Sequence, residues 1–197
     1  MAAQKVDDRA LVIVAHPNLR GGSRVNKRWV EELERYPNEF VVHDLYAALP
    51  KGSLDAADVA CEQKLLAAHD LVVFQFPVYW YSCPALLRSW MDAVYSLGWA
   101  YGDDLAQPGE MGRMVAGKHM ACAVSAGDIE EHYHADSNVG FTMDELLAPF
   151  WGTANYLGAS YEPHAFVLFG TEDSDMSDAQ VNDSAVAYVE WIRGLKI

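Results

Sequence analysis

The chain has 197 residues, long enough to bury a full hydrophobic core. Half of it is hydrophobic (51%) and only 21% is charged, which excludes wholesale disorder. With 14 Lys and Arg against 28 Asp and Glu, the net charge is −14; so acidic a chain lacks the basic face that nucleic acid or an anionic membrane surface demands.

Cys61, Cys83 and Cys122 are an odd number without paired spacing, and they read as reduced and structural. Residues 1–10 carry no apolar stretch of the secretory kind, and no apolar run reaches membrane length. A cytoplasmic location is the expectation. No repeat, low-complexity tract or linker divides the sequence, so one domain is expected over residues 1–197.

The first apolar strand is expected at residues 11–15 (LVIVA), followed by a loop over 16–23 that contains Asn18, Gly21 and Gly22. A helix follows with Val25, Trp29, Leu33 and Tyr36 on one stripe, and it must stop before Pro37. Residues 40–45 (FVVHDL) form the second strand, and a helix is expected over 55–68. The third strand, 71–76 (LVVFQF), is a continuous apolar run of the kind buried on both faces of a parallel sheet. Pro77 ends it. An aromatic loop with Tyr79, Trp80 and Tyr81 comes next, then a helix capped by Ser82 or Cys83 with Pro84 in its first turn. That helix places Leu87, Trp90, Met91 and Val94 on one face.

Residues 98–118 read as a long irregular segment, which in a compact domain is usually functional. The fourth strand is 119–125 (HMACAVS), followed by Ala126-Gly127-Asp128 and a polar loop to residue 140. Thr142 and Glu145 form a capping box for a helix that Pro149 must kink or interrupt. Residues 165–169 (AFVLF) are the fifth strand. Ser177 and Gln180 form a second capping box, and the last helix carries Val181, Ala185, Tyr188, Ile192 and Leu195 on one stripe. Five buried strands alternating with helices specify a three-layer α/β sandwich around a doubly wound parallel sheet of order 2-1-3-4-5.

Such sheets bind ligands at the carboxyl ends of their strands, at the switch point between strands one and three. Three loops meet there. The first opens a helix N-terminus, whose free N–H groups and partial positive charge suit a phosphate; Ser23 and Asn26 add short donors and Arg24 a charge. Read alone, it is also an ordinary βα turn. The sequence has no G-x-G-x-x-G and no G-x-x-x-x-G-K-[ST], and Gly117-Lys118 precedes a strand, which disfavours a dinucleotide fold and a P-loop. The second loop could wall a flat ring with aromatics, or simply cap the core. In the third, Tyr133 can hydrogen-bond to a reducible carbonyl. No metal site is expected, because His132 and His134 suit neither one helix face nor the usual zinc spacing. A G-x-S-x-G elbow is absent, which disfavours a hydrolase.

At these residues the sequence resembles the flavodoxin-fold NAD(P)H:quinone oxidoreductases. The likeness is greatest to small bacterial members, which include ancillary subunits of glutathione-gated potassium efflux systems. PVYWYSCPALLRSWMDAVYSLGWAYG is its most specific part, with AHP at 15–17, SRVN at 23–26, and SAG at 125–127 followed by Tyr133. The resemblance implies that His16, Ser23, Val25 and Asn26 hold a flavin phosphate. It implies that Pro77, Val78, Tyr79, Trp80 and Tyr81 line the ring, largely through backbone groups. Ser125, Gly127 and Asp128 would lie at the pyrimidine edge and Tyr133 near the substrate. It also implies a homodimer with a shared active site, with Trp99 and Tyr101 facing the partner subunit.

Three departures stand out. The 16–23 spacing is about one residue longer than in the family. Gly127-Asp128 replaces paired glycines and brings a carboxylate toward the ring, where it would disfavour an anionic reduced flavin. The histidine that some relatives place after the tyrosine is unmatched at Asn138-Val139-Gly140. The expected activity is hydride transfer from NAD(P)H to FMN and onward to a quinone, by a ping-pong mechanism. FAD is the alternative cofactor, with room for its adenine half in the 98–118 segment. The rival functions are a regulatory subunit of a potassium efflux transporter, peripheral to the inner membrane through that partner, and a flavodoxin-like electron carrier.

Overall fold

The computed structural model describes residues 7–104, 107, 109–172 and 176–195. Within the 98–118 segment, positions 105, 106 and 108 lie outside the described residues. The central strands β1 (Ala10–Val14), β3 (Leu71–Pro77) and β4 (His119–Ser125) are buried at every position. That is why they read as apolar runs broken only by Gln75, His119 and Ser125: both faces are covered. β2 (Phe40–Asp44) flanks β1, and every pairing in the sheet is parallel, in the order β2-β1-β3-β4 and then a fifth position.

That fifth position is split, so the described sheet has six strands rather than five. β5 (Ser160–Tyr161) pairs with His119 and Met120 at the start of β4, whereas β6 (Phe166–Leu168) pairs with Ala123 to Ser125 at its end. Pro163 stands between them and has no N–H to give a ladder, so the strand breaks there.

Side chains alternate between two cores. Leu11, Ile13, Val72, Phe74, Phe76 and Cys122 face α4 (Ala56–Ala67), α5 (Ala85–Val94) and α7 (Ala148–Leu157). Val12, Val14, Val73, Ala121 and Ala123 face α2 (Val25–Leu33) and α8 (Asp178–Gly194). The α2 and α8 stripes meet through Trp29, whose ring lies 5.0 Å from that of Tyr188 and whose indole N–H donates to Ser184 Oγ at 2.9 Å. On the other face, the buried Glu62 carboxylate accepts from the Trp90 indole at 2.8 Å and pairs with His43 at 2.9 Å, fastening α4 to α5 and β2.

Both capping boxes form, at Thr142/Glu145 and Ser177/Gln180. Pro149 divides the helix it enters: α6 (Met143–Leu146) ends and α7 begins with that proline in its first turn. The α5 cap differs from expectation. Neither Ser82 nor Cys83 caps the helix; Pro84 is the cap residue, because Ser82 is used to close the turn before it. The first loop also departs, holding a short helical turn, α1 (Leu19–Gly22), pinned by buried Leu19. One further short helix, α3 (Leu45–Ala48), follows β2 and is capped by Asp44. Among the described residues no helix is long and apolar enough to cross a membrane.

Candidate active site

The carboxyl ends of β1, β3 and β4 converge as the strand order requires. After β1, Asn18 organises the loop: its carbonyl accepts from Gly22 N–H (3.0 Å) and Ser23 N–H (3.2 Å). Its side chain lies over the turn, where a Cβ on Gly21 would sit 2.4 Å from Asn18 Oδ1 and would have to push that exposed amide aside. Ser23 Oγ accepts from Lys27 N–H at 3.3 Å, although α2 itself begins after Arg24 with no side-chain cap. The N–H groups of Arg24, the cap residue, and of Val25 and Asn26 in the first turn precede any i−4 carbonyl within α2.

His16 stands at the mouth of this loop. Its Nδ1 accepts from Asn18 N–H at 3.1 Å, which places the proton of the neutral ring on Nε2. Burial lowers its pKa, partly opposed by the Asp44 carboxylate, so the neutral form prevails at pH 7. Val25 is buried and offers backbone only. The Arg24 side chain turns away and donates to Asp178 Oδ1 (2.8 Å) and to the Met176 carbonyl (2.7 Å). Asn26 is likewise turned inward: its amide donates to Ser125 Oγ at 2.8 Å and accepts from Gln75 Nε2 at 3.3 Å. For Arg24 and Asn26, then, the group facing the loop is the peptide N–H and not the side chain.

The β3–α5 loop is a tight turn. Tyr79 N–H donates to the Ser82 carbonyl (2.9 Å) and Ser82 N–H to the Tyr79 carbonyl (3.0 Å). The two residues between them, Trp80 (φ 46°) and Tyr81 (φ 63°), both hold the left-handed conformation, and they are the only non-glycine residues with positive φ among those described. Two reciprocal bonds around two such residues are the pattern of a type I′ turn, a place normally filled by Asn and Gly. Aromatic side chains in those positions store strain, of order 1–3 kcal/mol each. The turn leaves Trp80 93% exposed and Tyr79 and Tyr81 about half so (44% and 46%). Among the described residues the Trp80 and Tyr81 N–H groups have no chain partner. Buried Pro77 forms the floor, and half-buried Val78 ties the loop to β4 by donating to the Ser125 carbonyl at 2.9 Å.

After β4, Gly127 accepts close approach from a residue that sequence reading missed. A Cβ at this position would lie 3.0 Å from the carboxyl carbon of Glu172, in the loop after β6. Glu172 also faces Tyr79: burial first, then Tyr46 and Glu172, push the Tyr79 phenol above its ordinary value. Asp128 points elsewhere. Its carboxylate accepts from Ile129 N–H (2.9 Å) and pairs with His132 Nδ1 (2.8 Å), and the His132 bond holds its pKa low. The carboxylate aimed at this edge is therefore that of Glu172. Tyr133 follows a 3₁₀ turn over Glu130–His132 and packs its ring 5.1 Å from that of Phe169. Burial, then the Asp128 charge and the Tyr81 phenol, raise its pKa, so it remains a proton-bearing donor at neutral pH.

The remaining expectations find these places. Cys61 is exposed, Cys83 half-buried beside the turn, and Cys122 buried, where desolvation pushes its thiol up to about 12. Among the described residues no group of three or more His, Cys, Asp or Glu could hold a metal ion. Half-buried Trp99 and Tyr101 lie near exposed Leu97, Met111 and Tyr156; the Tyr101 and Tyr156 rings are 5.8 Å apart.

Comparison with known proteins agrees with this architecture. The model of a family described as having a flavodoxin-like fold matches residues 8–192. An uncharacterized NAD(P)H oxidoreductase of Bacillus subtilis, YrkL, is 42% identical over 185 residues, 94% of this chain and 98% of that one. The glutathione-regulated potassium-efflux system ancillary protein KefG of Pectobacterium atrosepticum is 35% identical over 184 residues, 93% and 92% of the two chains. The crystal structure of general stress protein 14 of Treponema denticola, in complex with FMN, superposes with a TM-score of 0.84 at 39% identity, covering 95% of this chain and 99% of that one. An NADPH-quinone reductase from P. pentosaceus gives 0.76 at 29% identity, covering 95% and 99%. The chain belongs to the flavodoxin-like fold family, among relatives named NAD(P)H oxidoreductases, NADPH-quinone reductases and potassium-efflux ancillary proteins.

Proposed function

We propose that this protein is an FMN-dependent oxidoreductase that takes hydride from NAD(P)H and reduces a quinone by two electrons in alternating half-reactions. The observation that carries the reading is the strained Tyr79–Ser82 turn, which holds three aromatics and two N–H groups without a partner among the described residues, at the end of the strand paired with the one that leads to α2. A core-capping loop has no use for that strain. FMN, when bound, supplies the hydride-accepting and hydride-donating chemistry.

The donor set fits a phosphate-bearing planar group. The N–H groups of Arg24, Val25 and Asn26, with the Ser23 hydroxyl and the His16 Nε2–H, form an anion cradle. Trp80 and Tyr81 present backbone donors to the polar edge of a ring, while Tyr79, Trp80 and Tyr81 wall it and exclude water. At the other edge the backbone of Gly127 and Asp128 faces the ring beside Glu172, while the Ser125 hydroxyl supports it from below through Asn26 and the Asp128 carboxylate is held by His132. Tyr133 keeps its proton and donates a hydrogen bond to the carbonyl of the acceptor. FMN is preferred to FAD because the T. denticola relative was solved with FMN. In addition, Ala100 to Gly102 and Met111 to Arg113 lie beside α7, on the opposite face of the sheet from the α2 cradle.

The purified protein is expected to be yellow, to release FMN on heating, and to give parallel double-reciprocal lines when NAD(P)H and a benzoquinone are varied. Colourless protein that takes up neither FMN nor FAD overturns the proposal. The exposed Leu97, Met111 and Tyr156 beside Tyr101 support a homodimer with shared sites, which sedimentation tests. The KefG relative favours a second reading, a flavin-bearing ancillary subunit of a potassium efflux transporter. Co-purification with such a transporter in detergent separates the two.

A further inference from the structure

Gln75 interrupts an otherwise apolar strand. It lies on the α2 face of β3, in register between Val14 of β1 and Ala123 of β4, and is fully buried. The next residue on the same face, Val73, is aliphatic and packs into the α2–α8 core. A leucine at 75 would satisfy that core without a polar cost. The glutamine Oε1 in fact has no hydrogen-bond partner among the described residues. Hydrophobic packing therefore gives no reason for this residue.

Its other end gives one. Gln75 Nε2 donates to the Asn26 carbonyl at 3.1 Å and to Asn26 Oδ1 at 3.3 Å. Asn26 Nδ2 then donates to Ser125 Oγ at 2.8 Å. The three side chains are 0%, 1% and 5% exposed. The chain has one sense only: the Asn26 backbone carbonyl can only accept and so fixes the Gln75 nitrogen, that nitrogen fixes the Asn26 side-chain oxygen, and the Asn26 nitrogen is left to donate to the Ser125 hydroxyl. It runs from the middle of β3, through the first turn of α2, to the last residue of β4. These are the elements that carry the anion cradle and the ring-edge loop.

We propose that Gln75 is a positioning residue that locks the first turn of α2 to the end of β4 and so sets the phosphate cradle at a fixed distance from the ring slot. The inference rests on the flavin reading above. It concerns a residue that touches no ligand and acts through Asn26. A ligand that spans both sites feels the loss of the lock, whereas one that occupies only the ring slot does not.

Riboflavin and FMN share the ring and differ by the phosphate, so their dissociation constants separate the two effects. Fluorescence titration of flavin-free protein is expected to give tighter binding of FMN than of riboflavin in the wild type. In Gln75→Met, which keeps the length and removes the amide, the FMN dissociation constant should rise about tenfold while that of riboflavin stays within about twofold, a size in keeping with sub-ångström misplacement of donors. Gln75→Asn keeps an interior amide but falls one methylene short, and should move the same way. Val73→Ala, on the same face of the same strand, should lower the melting temperature and leave the FMN-to-riboflavin ratio alone. Equal weakening of both flavins, or unchanged FMN binding in both Gln75 variants, overturns the lock. Wild-type protein that binds neither flavin overturns the flavin reading itself.

Discussion

The strained turn makes a prediction that can be read before any activity is measured. Trp80 is 93% exposed and so contributes almost nothing to packing, yet its φ of 46° is one an L-residue adopts at a cost. Replacing it with Ala removes the indole and keeps the strain, which is about 1–2 kcal/mol for a residue held left-handed. Replacing it with Gly removes the indole and the strain, but gives back roughly 0.5–1 kcal/mol through the greater freedom of the unfolded chain. Trp80→Gly should therefore be more stable than Trp80→Ala by about 0.5–1 kcal/mol, equivalent to roughly 2 °C in melting temperature at this chain length. Scanning calorimetry of flavin-free protein measures the difference. Flavin binding should run the other way. Both variants lose part of the ring wall, and the glycine variant also loses preorganisation, so its FMN affinity should be the lower of the two. Equal melting temperatures would refute the strain, and wild-type FMN affinity in both variants would remove the turn from the slot.

Other consequences concern single groups. Tyr133→Phe should slow quinone reduction about a hundredfold while FMN stays bound, the lower end of what a positioned proton donor contributes; stopped-flow oxidation of the reduced protein reads it, and an unchanged rate ends the assignment. Because its pKa is raised, the wild-type rate should hold on the alkaline side up to at least about pH 10, the ordinary tyrosine value. Asp128→Asn should leave FMN affinity within about twofold, since its carboxylate is engaged with His132; a large loss would mean that it turns toward the ring. His16 titrates below its ordinary 6.5 in the folded chain, so the unfolded chain takes the proton first. Wild-type protein should then lose stability relative to His16→Asn as pH falls through 6.5, and denaturant midpoints that move in parallel between pH 7.5 and 5.5 would contradict this.

The scaffold was legible because its signals are local or periodic. Strands buried on both faces are largely apolar runs, and residues 119–125 coincide with β4 as the structure has it. Caps made from two side chains three residues apart, at Thr142/Glu145 and Ser177/Gln180, need no tertiary information. The elements that escaped depend on distant partners. Ser160–Tyr161 is too short to carry a period and is a strand only because His119 and Met120 lie beside it. The turn at 19–22 contains paired glycines, which locally argue for a loop, yet buried Leu19 and the Asn18 carbonyl hold it helical.

The site divides along the same line. Residue type and order placed Ser23, Asn26, Tyr79 to Tyr81, Ser125 and Tyr133 on three strand ends, and topology alone brings those ends together. Direction is another matter, because no local pattern says which way a side chain points. Arg24 and Asn26 look like phosphate ligands in a linear sequence, and both are turned away, one to Asp178 and the other into the core. Asp128 looks like the carboxylate at the ring edge, whereas Glu172, 44 positions later, occupies that side of Gly127. Gln75 was hidden most completely. Inside LVVFQFP it passes for a tolerated polar residue in a strand, and only its distance to Asn26, 49 residues earlier, gives it a reason. Buried polar residues inside apolar strands are costly enough to demand a partner, and here the partner leads directly to the first turn of α2.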